Sequence, residues 1–297
     1  MFATGCGGDD EPKGDPPLQP LRQVELPAAI NVASLTEVAI DGDAPTDNET
    51  AWLVARTGER KLEVHEVGLG DGEERGRPRR LEVPAADAAA ATFDVSRWDL
   101  GSDEGALFML SPSRSGVAVT VWSLAERPEP VARGEARLPA PVRGTDRELA
   151  VATWSGPRPD LFVIDRGRED ERLQVTIFSG ESRFREPIVR LKAPLSGVEP
   201  DEWGVDVGRV TQPQPDVVLT SRKPGRTNAE VHVLSGEDNF QGFAYRRPLD
   251  LSADLPGSYL LRFGVSDARE AVIGIDLRGQ PGSITAFPMF EAPEGPL

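Results

Sequence analysis

The chain has 297 residues, of which 30 are glycine and 27 are proline, and this density of helix-breaking residues excludes an all-helical bundle or a coiled coil. The formal net charge of -16 argues against nucleic-acid binding, because a phosphate backbone requires a basic surface. Hydrophobic residues make up 38% of the chain, enough for a core, but no apolar run reaches the roughly 18 residues of a membrane span.

The N-terminus carries the only cysteine, Cys6, so an intrachain disulfide and a thiolate metal cluster are excluded. Small residues before this cysteine (Ala3-Thr4-Gly5) resemble the end of a bacterial lipoprotein signal, which implies lipidation of Cys6 on a truncated signal remnant. The alternative is an incidental cysteine. Residues 7–20 have almost nothing to bury, so we expect residues 1–20 to form a disordered tether and residues 21–297 the folded domain.

Three sequence markers recur along residues 21–297 with a period of about 55. The first is a nearly continuous apolar segment, which begins at positions 51, 106, 160, 216 and 271, at spacings of 55, 54, 56 and 55. Such a strand is typical of the middle of a sheet that is covered on both faces. The second is a β-branched segment with one polar residue, at 64–67, 119–122, 175–178, 231–234 and 284–287.

The third marker is an extended segment that closes at a proline, at 24–27, 81–84, 136–139, 191–194 and 246–248. Proline within sheets is confined to edges, first residues or bulges, so each of these segments is predicted to be an edge strand. A further strand precedes each apolar segment, at 35–40, 93–98, 149–154, 205–210 and 259–265. Each unit therefore reads as four antiparallel strands.

Four-stranded sheets that repeat radially are typical of a β-propeller. The first proline segment has no unit before it, and only seven residues follow the last unit. We therefore predict an all-β fold, a five-bladed β-propeller in which the N-terminal strand closes the fifth blade. A β-sandwich is the competing fold, but it gives no reason for a 55-residue period.

Two of the units carry a family likeness. Pro159-Asp160-Leu161 leads to a strand and then to a glycine-containing turn that ends at Phe184, and Pro215-Asp216-Val217 leads in the same way to Phe240. The pattern resembles the FG-GAP/VCBS-type propeller repeat of exported bacterial proteins, a repeat related to the integrin head. The resemblance is clear over about residues 150–250, and together with Cys6 it implies an exported lipoprotein at the outer membrane or cell surface, on the periplasmic or extracellular face.

Members of that family often hold calcium in an acidic loop before the Asp-Leu strand, because Ca²⁺ requires six to eight oxygen ligands. The corresponding stretches 153–159 and 208–214 contain no carboxylate. The best remnant is Asp41, Asp43 and Asp47 in the first unit, which is more simply a solvated acidic turn. We therefore expect no cofactor, with Ca²⁺ as the alternative at these three residues.

The catalytic chemistry available to the chain is limited. His65 and His232 are its only histidines and occupy the same position in two non-adjacent units, so they cannot converge on a metal or in a Ser-His-Asp triad, and a structural role is expected. One enzyme class remains: carbohydrate-active five-bladed propellers need only a few carboxylates at the central pore. The inner-strand carboxylates are Glu37, Asp94, Asp206 and Asp267.

The expected function is a non-catalytic binding or assembly module on the cell envelope, held to the membrane only through a lipid on Cys6. Loops on one rim would face a protein or glycan partner, at residues 41–50, 97–105, 154–159, 209–215 and 265–270. Trp98, Trp154, Asp99 and Asp103 are the candidate ligand-rim residues on this rim, although packing between blades is an alternative role for both tryptophans. The glycosidase and a structural spacer that binds through the blade sides are the alternative functions.

Overall fold

The structure, a computed structural model, describes residues 18–20, 22–31, 33, 35–40, 50–83, 92–96, 98, 105–113, 115–138, 148–166, 172–196, 203–208, 210, 215–221, 229–249, 259–266, 269–276 and 281–289. These residues form β-strands and turns, without an α-helix. The all-β prediction is therefore confirmed for the described part of the chain.

The strands are grouped into four-stranded antiparallel sheets that follow the repeat. Sheet 1 contains β2 (Leu35–Ile40), β3 (Thr50–Gly58), β4 (Lys61–Gly68) and β5 (Arg79–Glu82). Sheet 2 contains β6 (Thr92–Ser96), β7 (Ala106–Ser113), β8 (Gly116–Ser123) and β9 (Pro130–Arg137). Sheet 3 contains β10 (Glu148–Ala152), β11 (Asp160–Arg166), β12 (Arg172–Phe178) and β13 (Pro187–Ser196).

Sheet 4 contains β14 (Trp203–Gly208), β15 (Asp216–Ser221), β16 (Ala229–Leu234) and β17 (Phe243–Leu249). Sheet 5 contains β18 (Tyr259–Ser266), β19 (Arg269–Asp276), β20 (Ser283–Pro288) and the N-terminal strand β1 (Arg22–Glu25). In sheets 1 to 4 the strands follow one another in chain order from the inner to the outer edge, and these sheets are arranged like the blades of a β-propeller. Neighbouring sheets contact each other through the inner strands, in the order β2, β6, β10, β14, β18 and again β2.

The N-terminal strand completes sheet 5, as the sequence predicts. β1 pairs with β20 in antiparallel register, from Arg22 opposite Ala286 to Glu25 opposite Ser283. The turn of sheet 1 packs against β1, where a Cβ on Gly72 would lie 2.3 Å from the Glu25 carbonyl oxygen. Only a glycine allows this close approach, and Gly72 also has a φ of +72°. The strand β1 therefore contributes to the contact between sheets 5 and 1, in addition to the inner strands β18 and β2.

The hydrophobic core lies between neighbouring sheets, because the second strands of sheets 1 to 4 are buried on both faces. Successive residues of a strand point to opposite faces, so Leu107 and Met109 of β7 pack toward sheet 1, and Phe108 and Leu110 pack toward sheet 3. All four side chains are at most 1% exposed. This arrangement accounts for the continuous apolar runs in the repeat: each residue of the run serves one of two interfaces.

The predicted proline segments coincide with the edge strands β1, β5, β9, β13 and β17 or with their ends. In three of these edge strands, an extra residue shifts the register at the same point: between Val121 and Trp122, Ile177 and Phe178, and Val233 and Leu234 of the partner strand. The bulged residues Val131 and Ile188 are exposed. Bulges and charged side chains on an edge oppose pairing with another sheet, which agrees with the position of these strands.

Candidate functional site

The loop that joins β10 to β11, on one rim of the domain, is held in place by a buried carboxylate. Asp160, which begins β11, is 0% exposed. Its Oδ2 accepts a hydrogen bond from the Ser155 amide at 2.6 Å, and its Oδ1 accepts one from the Gly180 amide at 2.8 Å. One side chain therefore fixes both the loop at 154–159 and the turn that follows β12. Asp216 in sheet 4 accepts a bond from the Gly236 amide at 2.8 Å in the same way.

The turn pinned by Asp160 carries an aromatic side chain into the next interface. Arg183 and Phe184 have φ angles of +55° and +64°, and Asn239 and Phe240 repeat this left-handed pair in sheet 4 with +50° and +61°. Non-glycine residues adopt this conformation only where the surrounding structure imposes it. Here it directs the rings of Phe184 and Phe240, both 0% exposed, between adjacent sheets.

Trp98 contacts the ring of Phe184, and Trp154 contacts the ring of Phe240. The Trp98 ring lies 6.0 Å from Phe108 and 6.1 Å from Phe184, and it is 9% exposed. Trp154 lies 5.8 Å from Phe162 and 5.4 Å from Phe240 and is half-buried. Both tryptophans thus belong to aromatic clusters between sheets, which is the packing role that the sequence left open. As candidate ligand-rim residues they stay a prediction.

An arginine side chain lies over the Trp98 ring of the first cluster. The Arg158 guanidinium carbon lies 5.1 Å from the centre of the Trp98 ring, at a distance typical of a cation–π contact. Arg158 belongs to the loop 154–159, so this loop lies on sheet 2 as well as on sheet 3. Ser155 in this loop and Glu181 in the turn after β12 are exposed.

The inner-strand carboxylates differ in their hydrogen bonds and burial. Asp94 on β6 accepts a bond from its neighbour, the Val95 amide, at 2.8 Å, and its other oxygen accepts a bond from the Val151 amide of β10 at 2.7 Å. Asp94 therefore links sheets 2 and 3. Asp206 on β14 is half-buried. Asp267 and the side chain of Glu37 lie outside the described residues.

The two histidines occupy equivalent strands of sheets 1 and 4. His65 Nδ1 lies 2.7 Å from Glu74 Oε1, and His232 Nε2 lies 3.0 Å from Glu230 Oε2. Burial lowers the pKa of His232, and the bond to Glu230 offsets part of this effect. For Glu230, burial opposes ionisation, but the hydrogen bond from His232 and the nearby charges of His232 and Arg246 bring its pKa below the usual value.

Several predicted site residues lie outside the described part of the chain: Cys6, Asp41, Asp43, Asp47, Asp99 and Asp103. Within the described ranges, no group of three or more His, Cys, Asp or Glu side chains is placed to hold a metal ion. No helix among the same residues has the length and apolar character needed to cross a membrane. Lipidation and calcium binding stay predictions.

A feature that the sequence reasoning missed is a polar cleft between the outer strand of sheet 2 and the turn of sheet 3. It is lined by Glu135, Arg137 and Arg185 and has a volume of about 300 Å³. Arg185 follows Arg137 by 48 positions and Glu135 by 50 positions, so no short sequence motif contains all three residues. The only available signal is that Arg185 follows Phe184 where Gln241 follows Phe240 in the next unit.

Comparison of the chain with models of known protein families and with curated proteins finds no match.

Proposed function

We propose that sheets 1 to 5 are the five blades of a closed β-propeller of the FG-GAP/VCBS type. The cyclic order of inner-strand contacts supports five blades, because β18 contacts both β14 and β2. Sheet 5 has the same four-strand plan as the others, with β1 as its outer strand. The aspartate of the Pro-Asp pattern also has the same structural role in both units, because Asp160 and Asp216 each accept a hydrogen bond from the amide of a turn glycine.

We further propose that this domain is a non-catalytic binding or assembly module, exported and tethered to the cell envelope through a lipid on Cys6. Its partner would be an envelope protein or glycan held by the loops of one rim. The observation that supports this function is the rigid mounting of loop 154–159: Asp160 binds its backbone, and Arg158 holds it against Trp98. A loop that is ordered before binding loses less conformational freedom when a partner docks.

The glycosidase alternative requires free carboxylates on the inner strands. Both oxygens of Asp94 accept backbone amide bonds, so the described structure assigns this carboxylate to holding sheets 2 and 3 together. Because Asp94 already binds two backbone amides, we prefer the binding module to the glycosidase.

The test is to immobilise the full chain and capture partners from an envelope extract of the source cell, with calcium and then with a chelator. The rim variant combines Ser155→Arg with Glu181→Arg, two exposed residues that take no part in the aromatic clusters. The matched control is Glu59→Arg, an exposed position in the turn between β3 and β4, at the opposite end of sheet 1. We expect one reproducible partner that the rim variant loses and the control keeps.

Equal capture by the rim variant and the wild type would contradict binding through this rim. Hydrolysis of a polysaccharide that disappears in Asp206→Asn, with folding intact, would establish the enzyme alternative instead. Loss of the partner on chelation would point to the acidic loop at Asp41, Asp43 and Asp47.

A further inference from the structure

The polar cleft between sheets 2 and 3 is formed by the docking of one turn on one edge strand. The backbone of the turn approaches β9 so closely that a Cβ on Gly134 would lie 2.1 Å from the Arg183 carbonyl oxygen. This contact, with Phe184 buried beside it, fixes where the chain emerges at Arg185. Arg185 thereby faces Glu135 and Arg137 of β9 across the cleft.

One oxygen of Glu135 is used within the protein and the other remains open. Oε1 accepts hydrogen bonds from the hydroxyls of Ser113 and Ser115. These two bonds, from Ser115 first and then Ser113, hold the pKa of Glu135 below its usual value, so the group is ionised at neutral pH. Among the described residues, no donor binds Oε2.

The two arginines are available for a ligand. Both side chains are exposed, and neither forms an ion pair with a carboxylate of the described residues. A guanidinium presents a fork of donors that matches a planar carboxylate, and two of them on one cleft exceed the single negative charge of Glu135. The described lining residues therefore combine a net positive charge with one strong acceptor.

The next interface provides an internal comparison. Gln241 stands where Arg185 stands, and Lys192 of β13 takes the register position of Glu135. There the Gln241 side-chain amide donates to the Lys192 carbonyl oxygen at 2.8 Å and ties the turn to the strand. Glu135, Arg137 and Arg185 are thus a departure from the repeat, not a requirement of packing.

We propose that this cleft binds a uronate residue of an acidic polysaccharide, with Arg137 and Arg185 on the sugar carboxylate and Glu135 Oε2 accepting a sugar hydroxyl. A carboxylate with neighbouring hydroxyls satisfies both halves of the cleft, whereas inorganic phosphate satisfies only the arginine half and brings no sugar hydroxyl to Glu135. The volume of about 300 Å³ is at the lower end of ligand-pocket sizes, which suits one sugar unit. The three lining residues lie outside the five rim loops, but Arg185 shares its turn with Glu181, so the galacturonate titration is made on a chain that keeps Glu181.

The test titrates the full chain with galacturonate, galactose and inorganic phosphate by calorimetry or ligand-observed NMR at low ionic strength. We expect millimolar binding of galacturonate, with galactose and phosphate both weaker by about tenfold. Arg137→Gln and Arg185→Gln should each weaken galacturonate binding by about tenfold or more, as expected for loss of a charge-assisted hydrogen bond. The matched control is Arg190→Gln, an exposed arginine on the edge strand β13, which should leave binding unchanged.

Three results would overturn the proposal. Phosphate that binds as tightly as galacturonate would identify a simple anion site, and equal binding of galactose would exclude a role for the arginines. Absence of galacturonate binding up to about 20 mM would exclude the site itself. Each variant's unfolding midpoint should match the wild type, since all three positions are exposed, and a variant that unfolds earlier is replaced by the corresponding Lys substitution.

Discussion

The carboxylate of Asp160 provides the strongest test of how the repeat is built. Asp160→Asn keeps the size and shape of the side chain but leaves one acceptor oxygen where two backbone amides bind, from Ser155 at 2.6 Å and Gly180 at 2.8 Å. The second amide then faces an NH₂ group in a site that is 0% exposed. A hydrogen bond to a charged group contributes about 1.5–3 kcal/mol, and an unpaired buried donor adds about 1–3 kcal/mol. Allowing for partial relaxation, we expect a loss of about 2–4 kcal/mol in the free energy of unfolding.

Denaturant unfolding monitored by circular dichroism measures this loss, provided that the slope of the transition stays constant. Asp238→Asn is the matched control, because Asp238 is an exposed acid in the equivalent turn of sheet 4 and should change stability by no more than about 0.5 kcal/mol. A second readout is local: the Trp98 indole signal in NMR should shift in the Asp160 variant, since Phe184 is carried by the pinned turn. If Asp160→Asn and Asp238→Asn unfold at the same denaturant concentration, the buried carboxylate does not hold the rim.

Three further predictions concern the stability of the domain. Phe184→Ala should destabilise the domain by about 3–5 kcal/mol in the same assay, because the ring is fully buried between sheets 2 and 3; an effect below about 1 kcal/mol would contradict its role there. Gly134→Ala should lower stability by about 1–3 kcal/mol, since the added Cβ meets the Arg183 carbonyl, whereas Gly58→Ala, with its nearest contact at 3.6 Å, should be nearly neutral. Because burial lowers the pKa of His232 from 6.5, the unfolded chain takes up the proton first as pH falls; stability should therefore decline below about pH 6.5, and His232→Gln should flatten that decline in unfolding midpoints measured from pH 8 to 5.

The sequence predicts the sheets well because its signals are local and repeated. An apolar run such as 106–110 can be buried on both faces only inside a stack of sheets, and its 55-residue recurrence marks where each successive sheet begins. Proline at the end of each unit marks the edge, and the pairing of β1 with β20 follows from a first edge strand that has no unit before it. The 55-residue period, the apolar and polar segments and the closing prolines together predict the order of the strands in each sheet.

The site is less predictable because its contacts join distant units. Nothing in the sequence indicates that the carboxylate of Asp94 spans to the Val151 amide, or that Trp98 is covered by Arg158 from the next sheet. These contacts depend on the relative placement of two sheets, which periodicity does not encode. The sequence identified Asp160 only through the family resemblance, and its burial and two amide bonds give that pattern a physical cause.

Sheets 3 and 4 are copies of one repeat unit. Comparison of their equivalent residues therefore distinguishes the residues that packing requires from those that it leaves free to differ. Phe184 and Phe240 are identical in residue type, in left-handed backbone and in burial, because both fill the same gap between sheets. The residue that follows is free to differ: Gln241 closes its interface with a bond to the Lys192 carbonyl, and Arg185 leaves a charged cleft open. Since Phe184 and Phe240 already fill these interfaces, the following position can differ in charge without disturbing the packing of the sheets. Positions whose chemistry differs between units therefore lie immediately beside the residues that hold the sheets together.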